Sequence, residues 1–271
     1  MSFWTWLSHN RVVQGRSSEY VRSFAAHRFF SIYVRPVRTA VLPALLLLNL
    51  TACGLLTGVR IVAPPRVLET TLSSVRFEHR LDPNGFNGFQ GYELYYKIYG
   101  ESSDQQSRKQ ADENAVSGSS DPFSTLNNRG FRRFQLEDPD VTRPGVIARV
   151  RNPTDEDVVF LLDFLPAINR TGNPNLQIQR DTSPEEYRLI RTISADPDDF
   201  GRSLSRRRFD STTEPRYFED DGVTPHADVD SEYDGETAVS IVIFAIGQAF
   251  DVNTLSPVRS IEAVRLVEFR L

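Results

Sequence analysis

The stretch Gly91–Tyr99, GYELYYKIY, decides the fold that we predict for this chain. Every second residue falls on one face of an extended strand, namely Tyr92, Leu94, Tyr96 and Ile98. The residues between them fall on the other face, namely Glu93, Tyr95, Lys97 and Tyr99. Aromatic and β-branched residues at alternating positions are typical of a pleated, half-buried strand. The stretch therefore predicts a half-buried β-strand whose tyrosines are packing residues, with a platform for stacking a ligand as the alternative.

Strand-like segments lie on both sides of this stretch. They are residues 75–80 (VRFEHR), 131–137 (FRRFQLE), 145–151 (GVIARVR), 157–164 (DVVFLLDF) and 238–251 (AVSIVIFAIGQAFD). Residues 182–186 (TSPEE) carry helix-start signals, but the following YRLIRTI fits a strand equally well. Residues 101–122 are nearly free of large apolar side chains, so we expect a flexible polar loop over 101–128.

An apolar run, residues 39–54 (TAVLPALLLLNLTACG), ends close to the only cysteine of the chain. Arginines precede it, and its apolar part is too short for a mature membrane span, as in a secretory signal peptide. The tetrapeptide Leu50-Thr51-Ala52-Cys53 resembles the lipobox of bacterial lipoproteins. The resemblance implies cleavage before Cys53 and a lipid on its sulfur. The alternative is a buried helix with an inert thiol, but residues 41–48 show no polar face.

Residues 91–99 also resemble the third strand of fibronectin type III domains, and residues 238–251 resemble the sixth. The matching positions of the sixth strand are Ile241, Ile243 and Ala245, with Gly247 in the turn, and residues 256–269 would be the last strand. The resemblance implies a mainly β, immunoglobulin/fibronectin III-like antiparallel sandwich. Because about 138 residues separate the two strands, it also implies a large β-rich insertion.

The predicted organisation has six parts. The N-terminal parts are a leader and lipoprotein signal peptide over 1–52 and a lipid anchor and tether over 53–65. The first part of the β-sandwich over 66–100 and the polar loop over 101–128 come next. The last parts are a β-rich insertion or second small domain over 129–235 and the final strands of the sandwich over 236–271.

The charge balance argues against a nucleic-acid partner. The chain has 31 basic and 36 acidic residues, and residues 1–52 hold six of the arginines and one glutamate. The remainder has 25 basic and 35 acidic residues, whereas binding to a phosphate backbone depends on cationic side chains. The expected partners are the membrane, through the lipid on Cys53, and a protein or glycan.

The catalytic signatures of common enzymes are absent from the sequence. It contains no GxSxG, HExxH or phosphate-binding glycine motif. We interpret His79 as a hydrogen-bonded core or edge imidazole. A hydrolase with paired carboxylates stays open, because such a pair has no fixed sequence spacing.

One acidic segment has the spacing of metal ligands, with Asp228, Asp230, Glu232 and Asp234 in DVDSEYDGE. A calcium hand would need a glutamate where Ile241 stands, so a solvated acidic loop is the preferred interpretation. Calcium is the only cofactor that the sequence suggests.

The sequence thus predicts an exported, lipid-anchored protein of the bacterial envelope. The resemblance to lipoproteins implies that the outer membrane is favoured, because Gly54 rather than an aspartate follows the cysteine. It would act as a binding or structural module. The alternatives are a carboxylate hydrolase and a calcium-dependent adhesion module.

Overall fold

A computed structural model describes residues 61–137, 147–154, 158–179, 184–193, 208–209, 218–219, 222–235 and 238–271. The predicted lipobox Leu50-Thr51-Ala52-Cys53 and the leader lie outside these residues.

The described elements follow one another along the chain as short strands around two long ones. Their bounds are β1 Arg66–Thr70, β2 Ser74–Glu78, α1 Leu81–Asn84, β3 Phe89–Gly100, α2 Ser103–Ser117, α3 Pro122–Asn128, β4 Arg132–Arg133, β5 Gln135–Leu136, β6 Ala148–Arg149, β7 Val159–Asp163, α4 Leu165–Ile168, β8 Asn175–Gln179, β9 Glu185–Ile190, β10 Val239–Asp251, β11 Ser256–Arg259 and β12 Val264–Arg270.

The strands form two antiparallel sheets, so the protein is mainly β. The first sheet has the order β1-β2-β7-β8-β9-β5 and the second has the order β11-β10-β3-β4. Strand β12 also pairs with β10, and β6 also pairs with β3. The strand predicted over residues 91–99 lies within β3, which pairs with β10 from Phe89 opposite Ala249 to Gly100 opposite Val239.

The two sheets share one large apolar core, an arrangement consistent with a β-sandwich. Strand β3 contributes Tyr92, Leu94, Tyr96 and Ile98 to this core, which confirms the predicted alternation. The first sheet contributes Phe77 and Phe160, whose rings stack with centroids 5.0 Å apart. Aromatic pairs of this kind add to the free energy gained from apolar burial.

The other face of β3 is buried too, which differs from the predicted half-buried strand. Tyr95 and Tyr99 pack there with Phe244 of β10, Val116 of α2 and Leu126 of α3. The two helices therefore form a third layer on the outer face of the second sheet.

The prediction of a flexible loop over 101–128 is wrong, because helices α2 and α3 occupy that segment. The Ser102 side chain accepts a hydrogen bond from the Gln105 amide and caps α2. The helix then docks through charges: Lys109 Nζ lies 2.6 Å from Glu268 Oε1 of β12. The loop prediction considered only the apolar area that this segment can bury. A helix that is held in place by ion pairs does not show in that quantity.

Three other expectations are refined by the structure. Strand β9, Glu185–Ile190, includes the first four residues of YRLIRTI, which resolves the choice between helix and strand there. The predicted last strand is divided into β11 and β12, with Ser260 between them. Val62 and Ala63, predicted to belong to the tether, are buried against the core because they pack over Gly247 of β10.

Among the described residues, none of the helices combines the length and apolar character needed to cross a membrane.

Candidate functional site: a buried charge cluster under helix α2

Lys97 of β3 is the centre of a buried charge cluster on the helix-covered face of the second sheet. Its Nζ donates to Asp112 Oδ2 at 2.9 Å and to the Arg129 carbonyl at 2.9 Å. It also lies 2.8 Å from Asp230 Oδ2. Only 8% of the Lys97 side chain is exposed. Because an ammonium group has three donors, these three acceptors satisfy it fully.

Asp112 joins the cluster from the middle of α2. Its Oδ2 accepts from Lys97 and also from the Tyr99 hydroxyl, at 2.9 Å. Its Oδ1 accepts from Arg129 Nη1 at 3.3 Å. A carboxylate buried this deeply requires paired charges and hydrogen bonds, and Asp112 has both.

Asp230 enters from the loop that precedes β10. The Ile98 amide donates to the Asp228 carbonyl at 2.9 Å, and the Asp230 amide donates to the Ile98 carbonyl at 2.8 Å. These two bonds fasten the loop to the edge of β3. Asp230 Oδ1 then accepts from Arg108 Nε at 2.8 Å and from Gln105 Nε2 at 3.2 Å.

The electrostatic environment keeps Asp230 ionised. Burial alone would raise its pKa, but the hydrogen bond and charge of Lys97, together with the Arg108 guanidinium, lower the pKa below the ordinary value of 3.8. The neighbouring tyrosine responds in the opposite direction. Burial, and then the charge and hydrogen bond of Asp112, raise the pKa of Tyr99 far above its ordinary value.

A pocket of about 710 Å³ opens beside the cluster. Its lining includes Lys97, Arg108, Asp112, Arg129, His226 and Asp230. Arg108 and Arg129 have 44% and 48% of their side chains exposed, so they stand at the solvent side, whereas the lysine and both aspartates lie deep. Three cations face two carboxylates, which leaves one positive charge if His226 is neutral.

A second buried charge on β3, Glu93, lies on the same face of the strand. Arg259 Nη2 of β11 lies 3.2 Å from Glu93 Oε1, and the Tyr95 hydroxyl donates to Glu93 Oε2 at 2.6 Å. Arg259 also stacks over the Phe123 ring at 3.7 Å. Each charge inside the predicted strand GYELYYKIY is therefore neutralised by a partner from another element.

The four residues with metal-like spacing separate into two pairs. Asp228 and Asp230 are buried, which corrects the interpretation of this segment as a solvated loop, whereas Glu232 and Asp234 are exposed. Asp228 is held by Arg191, and Asp230 by Lys97 and Arg108. In the described part of the chain, no group of three or more histidine, cysteine or acidic residues is placed to hold a metal ion. A calcium site in this segment stays a prediction.

His79 has the role predicted for it. It is buried, with Nδ1 3.0 Å from the Tyr92 hydroxyl and Nε2 2.9 Å from the Pro153 carbonyl. The imidazole thus ties the end of β2 to β3 and to the segment that follows β6.

Sequence reasoning missed most of the cluster. It named Asp230, but not Lys97, Arg108, Asp112 or Arg129. The available signal was a lysine and a glutamate inside an otherwise apolar strand, together with the i, i+4 spacing of Arg108 and Asp112 on one helix face. The polar composition of residues 101–128 predicts a loop, and in a loop this spacing has no meaning.

A scan against protein-family models and searches of curated proteins and of solved structures found no match for this chain.

Proposed function

We propose that this chain is an exported, lipid-anchored protein of the bacterial envelope whose β domain is a binding module. The observation that carries the binding role is the pocket beside Lys97, with two arginines at its solvent side. The proposal of a lipid anchor rests on the Leu50-Thr51-Ala52-Cys53 motif. The proposed location at the outer membrane rests on Gly54, the residue after the cysteine.

The strand pairing supports an immunoglobulin/fibronectin III-like sandwich. In such domains the third, sixth and seventh strands share a sheet, and the first, second and fifth lie in the other. Here β3, β10 and β12 are neighbours in one sheet, and β1, β2 and β7 are neighbours in the other. One strand departs from this pattern. In such domains the fourth strand, which precedes the fifth in the chain, borders it on the outer side, whereas here that place is taken by β8, which follows β7. The division at residue 129 stays a prediction.

The charges at the pocket favour an anionic ligand group, such as a carboxylate or phosphate on a glycan or protein. The carboxylates of Asp112 and Asp230 are already occupied by internal donors. A guanidinium carries five N–H donors, and Arg129 uses one of them on Asp112. The remaining donors at the solvent side are suited to a ligand oxygen.

The hydrolase alternative has one favourable observation, because Asp112 and Asp230 converge on the same ammonium group. Acid catalysis needs a carboxyl group that keeps its proton near neutral pH, whereas the pKa of Asp230 is lowered. The cluster therefore supports binding better than catalysis. For the calcium alternative, isothermal titration with millimolar calcium is the test, and absence of heat would dispose of it.

Calorimetric titration tests the binding role, with phosphate, citrate and oligogalacturonate as probes and a neutral oligogalactose as the negative control. Arg108→Gln and Arg129→Gln should each weaken anion binding about ten-fold or more, because each removes a charge-assisted contact. Arg66→Gln changes an exposed arginine outside the pocket and should leave binding unchanged. No heat with any of the three anions in the unaltered protein would refute an anionic ligand.

The anchor has its own test. Intact-mass analysis of the membrane-extracted protein should show a chain that begins at Cys53 and carries a lipid. A full-length product with an unmodified thiol would contradict it.

A further inference from the structure

The exposed apolar side chains of the domain are unevenly distributed. The described residues include nine large ones, namely Ile61, Leu68, Leu72, Leu165, Val223, Phe250, Val252, Leu255 and Ile261. Three of them, Phe250, Val252 and Leu255, lie in or next to the β10–β11 turn, with 36%, 70% and 75% of their surface exposed. We call residues 250–255 the apolar turn.

The chain enters the domain at the same end of the sheets. Val62 and Ala63 pack over Gly247 of β10, and the Ala63 amide donates to Asn84 Oδ1 at 2.9 Å. Ile61, which is 60% exposed, precedes them. Ile261, 61% exposed, follows Ser260, whose hydroxyl accepts from the Gly247 amide at 3.0 Å. Five of the nine exposed apolar residues therefore belong to this end.

Leu72 and Leu165 belong to the opposite end. The Phe164 amide donates to the Ser73 carbonyl at 2.7 Å. The Phe164 ring stacks on Phe269, with centroids 4.5 Å apart. Phe269 pairs with Ile241 at the start of β10, whereas the apolar turn follows the end of that strand.

The length of the tether sets the distance between this end and a membrane. Seven residues, 54–60, separate Cys53 from Ile61, and eight residue steps span at most about 29 Å. From Gly247 to Val252, which directly follows the end of β10, five residue steps of extended chain cover about 17 Å. A lipid on Cys53 therefore keeps the chain entry, and the apolar turn near it, within reach of the bilayer surface.

The conformation of the apolar turn gives an independent reason to assign it a contact. Leu255 has φ 51°, in the left-handed region that a bulky non-glycine residue seldom adopts. An uncommon conformation that exposes a leucine points to a role for that side chain. The turn is also held in shape, because the Asn253 amide donates to Asp251 Oδ1 at 2.8 Å and the Phe250 amide donates to the Gly88 carbonyl at 2.8 Å.

We infer that the apolar turn docks into the lipid surface to which Cys53 is anchored, so that the domain has a fixed orientation on the membrane. This inference rests on the lipid anchor of the proposed function. Apolar side chains at a membrane interface gain free energy in proportion to the area they bury, and they supply the second attachment that strengthens an acyl anchor. The binding pocket belongs to another part of the fold, beside α2, and stays accessible to a ligand.

Site-directed fluorescence quenching on the processed protein, which begins at the acylated Cys53, tests the docking. Asn253→Cys and Leu72→Cys each introduce a thiol for a bimane label, one in the apolar turn and one at the opposite end. The proteins are placed in phosphatidylethanolamine–phosphatidylglycerol vesicles that contain a lipid with a nitroxide on its acyl chain. We expect quenching at residue 253 to exceed that at residue 72 by about three-fold or more.

A second variant set separates docking from simple proximity. Val252→Ser with Leu255→Ser, in the Asn253→Cys background, should lower the quenching to the level seen at residue 72, while circular dichroism and the acylated mass stay unchanged. Intact mass is read first, since an unmodified Cys53 overturns the anchor of the proposed function. Acylated protein with equal quenching at the two sites, or with stronger quenching at residue 72, overturns the docking alone.

Discussion

Arg191 and Asp228 form an ion pair in which neither side chain is exposed to solvent. Arg191 Nε donates to Asp228 Oδ2 at 2.8 Å, and Nη2 donates to Oδ1 at 2.9 Å. The Tyr96 hydroxyl donates to the same Oδ2 at 2.7 Å. The pair therefore joins the end of β9, strand β3 and the loop before β10 inside the domain.

Removing one partner of this pair should be costly. Arg191→Met leaves Asp228 buried without its cation, and loss of one partner of a buried pair costs about 3–5 kcal/mol. Urea unfolding measures the change. The double variant, Arg191→Met with Asp228→Asn, should lose less free energy of unfolding than the two single variants lose in sum. Arg151→Met, at an arginine that is 62% exposed and pairs with Glu185, is the control and should cost under about 1 kcal/mol. Equal losses for Arg191→Met and Arg151→Met would contradict the prediction.

Lys97→Met should also destabilise the domain by about 3–5 kcal/mol, because it leaves Asp112 and Asp230 without the cation that they share. Arg66→Met is the matched surface control, since Arg66 is 65% exposed and pairs with Glu78. Thermal and urea unfolding report the difference. A Lys97→Met protein as stable as the control would show that the cluster does not stabilise the domain.

Acid should weaken the cluster in a defined pH range. The pKa of Asp230 in the folded protein is lowered from 3.8, so its contribution to stability is complete above that pH and disappears as the pH falls through the folded value. The unfolding free energy of the unaltered protein should therefore decline below pH 4. In Asp230→Asn the decline should be smaller, because the titrating group is absent. Identical slopes in the two proteins would be the contrary result.

Alkali should destabilise the protein through β3. Burial raises the pKa of Tyr92 to about 12, and it raises the pKa values of Tyr95, Tyr96 and Tyr99 as well. An unfolded tyrosine ionises near pH 10 while these four keep their protons, so stability should fall as the pH rises above 10. Each contributes up to about 1.4 kcal/mol per pH unit. Absorbance at 295 nm should show Tyr95, Tyr96 and Tyr99 ionising only with unfolding, whereas in urea-unfolded protein all tyrosines should titrate near pH 10.

Gly247→Ala should loosen the attachment of the chain entry. A Cβ at this position would meet the Ala63 carbonyl oxygen and would lie 2.8 Å from Val62 Cγ1. Overpacking of this kind costs about 1–3 kcal/mol, and it should expose residues 61–65 to limited proteolysis. Gly172→Ala is the control, because its nearest contact would be 3.7 Å away. Unchanged cleavage and stability in Gly247→Ala would contradict the packing of Val62 and Ala63 over β10.

The sequence predicted the long strands of this fold correctly but did not predict its helices. Alternation in residues 91–99 and 238–251 located β3 and β10 and the correct core face of β3. The same reasoning failed over residues 101–128, because α2 is stabilised by ion pairs such as Lys109 with Glu268 rather than by an apolar face. The sequence does not distinguish a charged side chain that is solvated by water from one that is paired with a residue distant in the chain.

The sequence by itself determined the two long strands β3 and β10, the core face of β3, the role of His79 and the lipobox-like motif, because side-chain alternation and short motifs are local properties of a chain. Only the tertiary structure decided which charges are buried together. Lys97, Asp112 and Asp230 belong to three different elements, and they meet because α2 and the loop before β10 both pack against β3. Such long-range packing has no counterpart in the spacing of residues along the sequence.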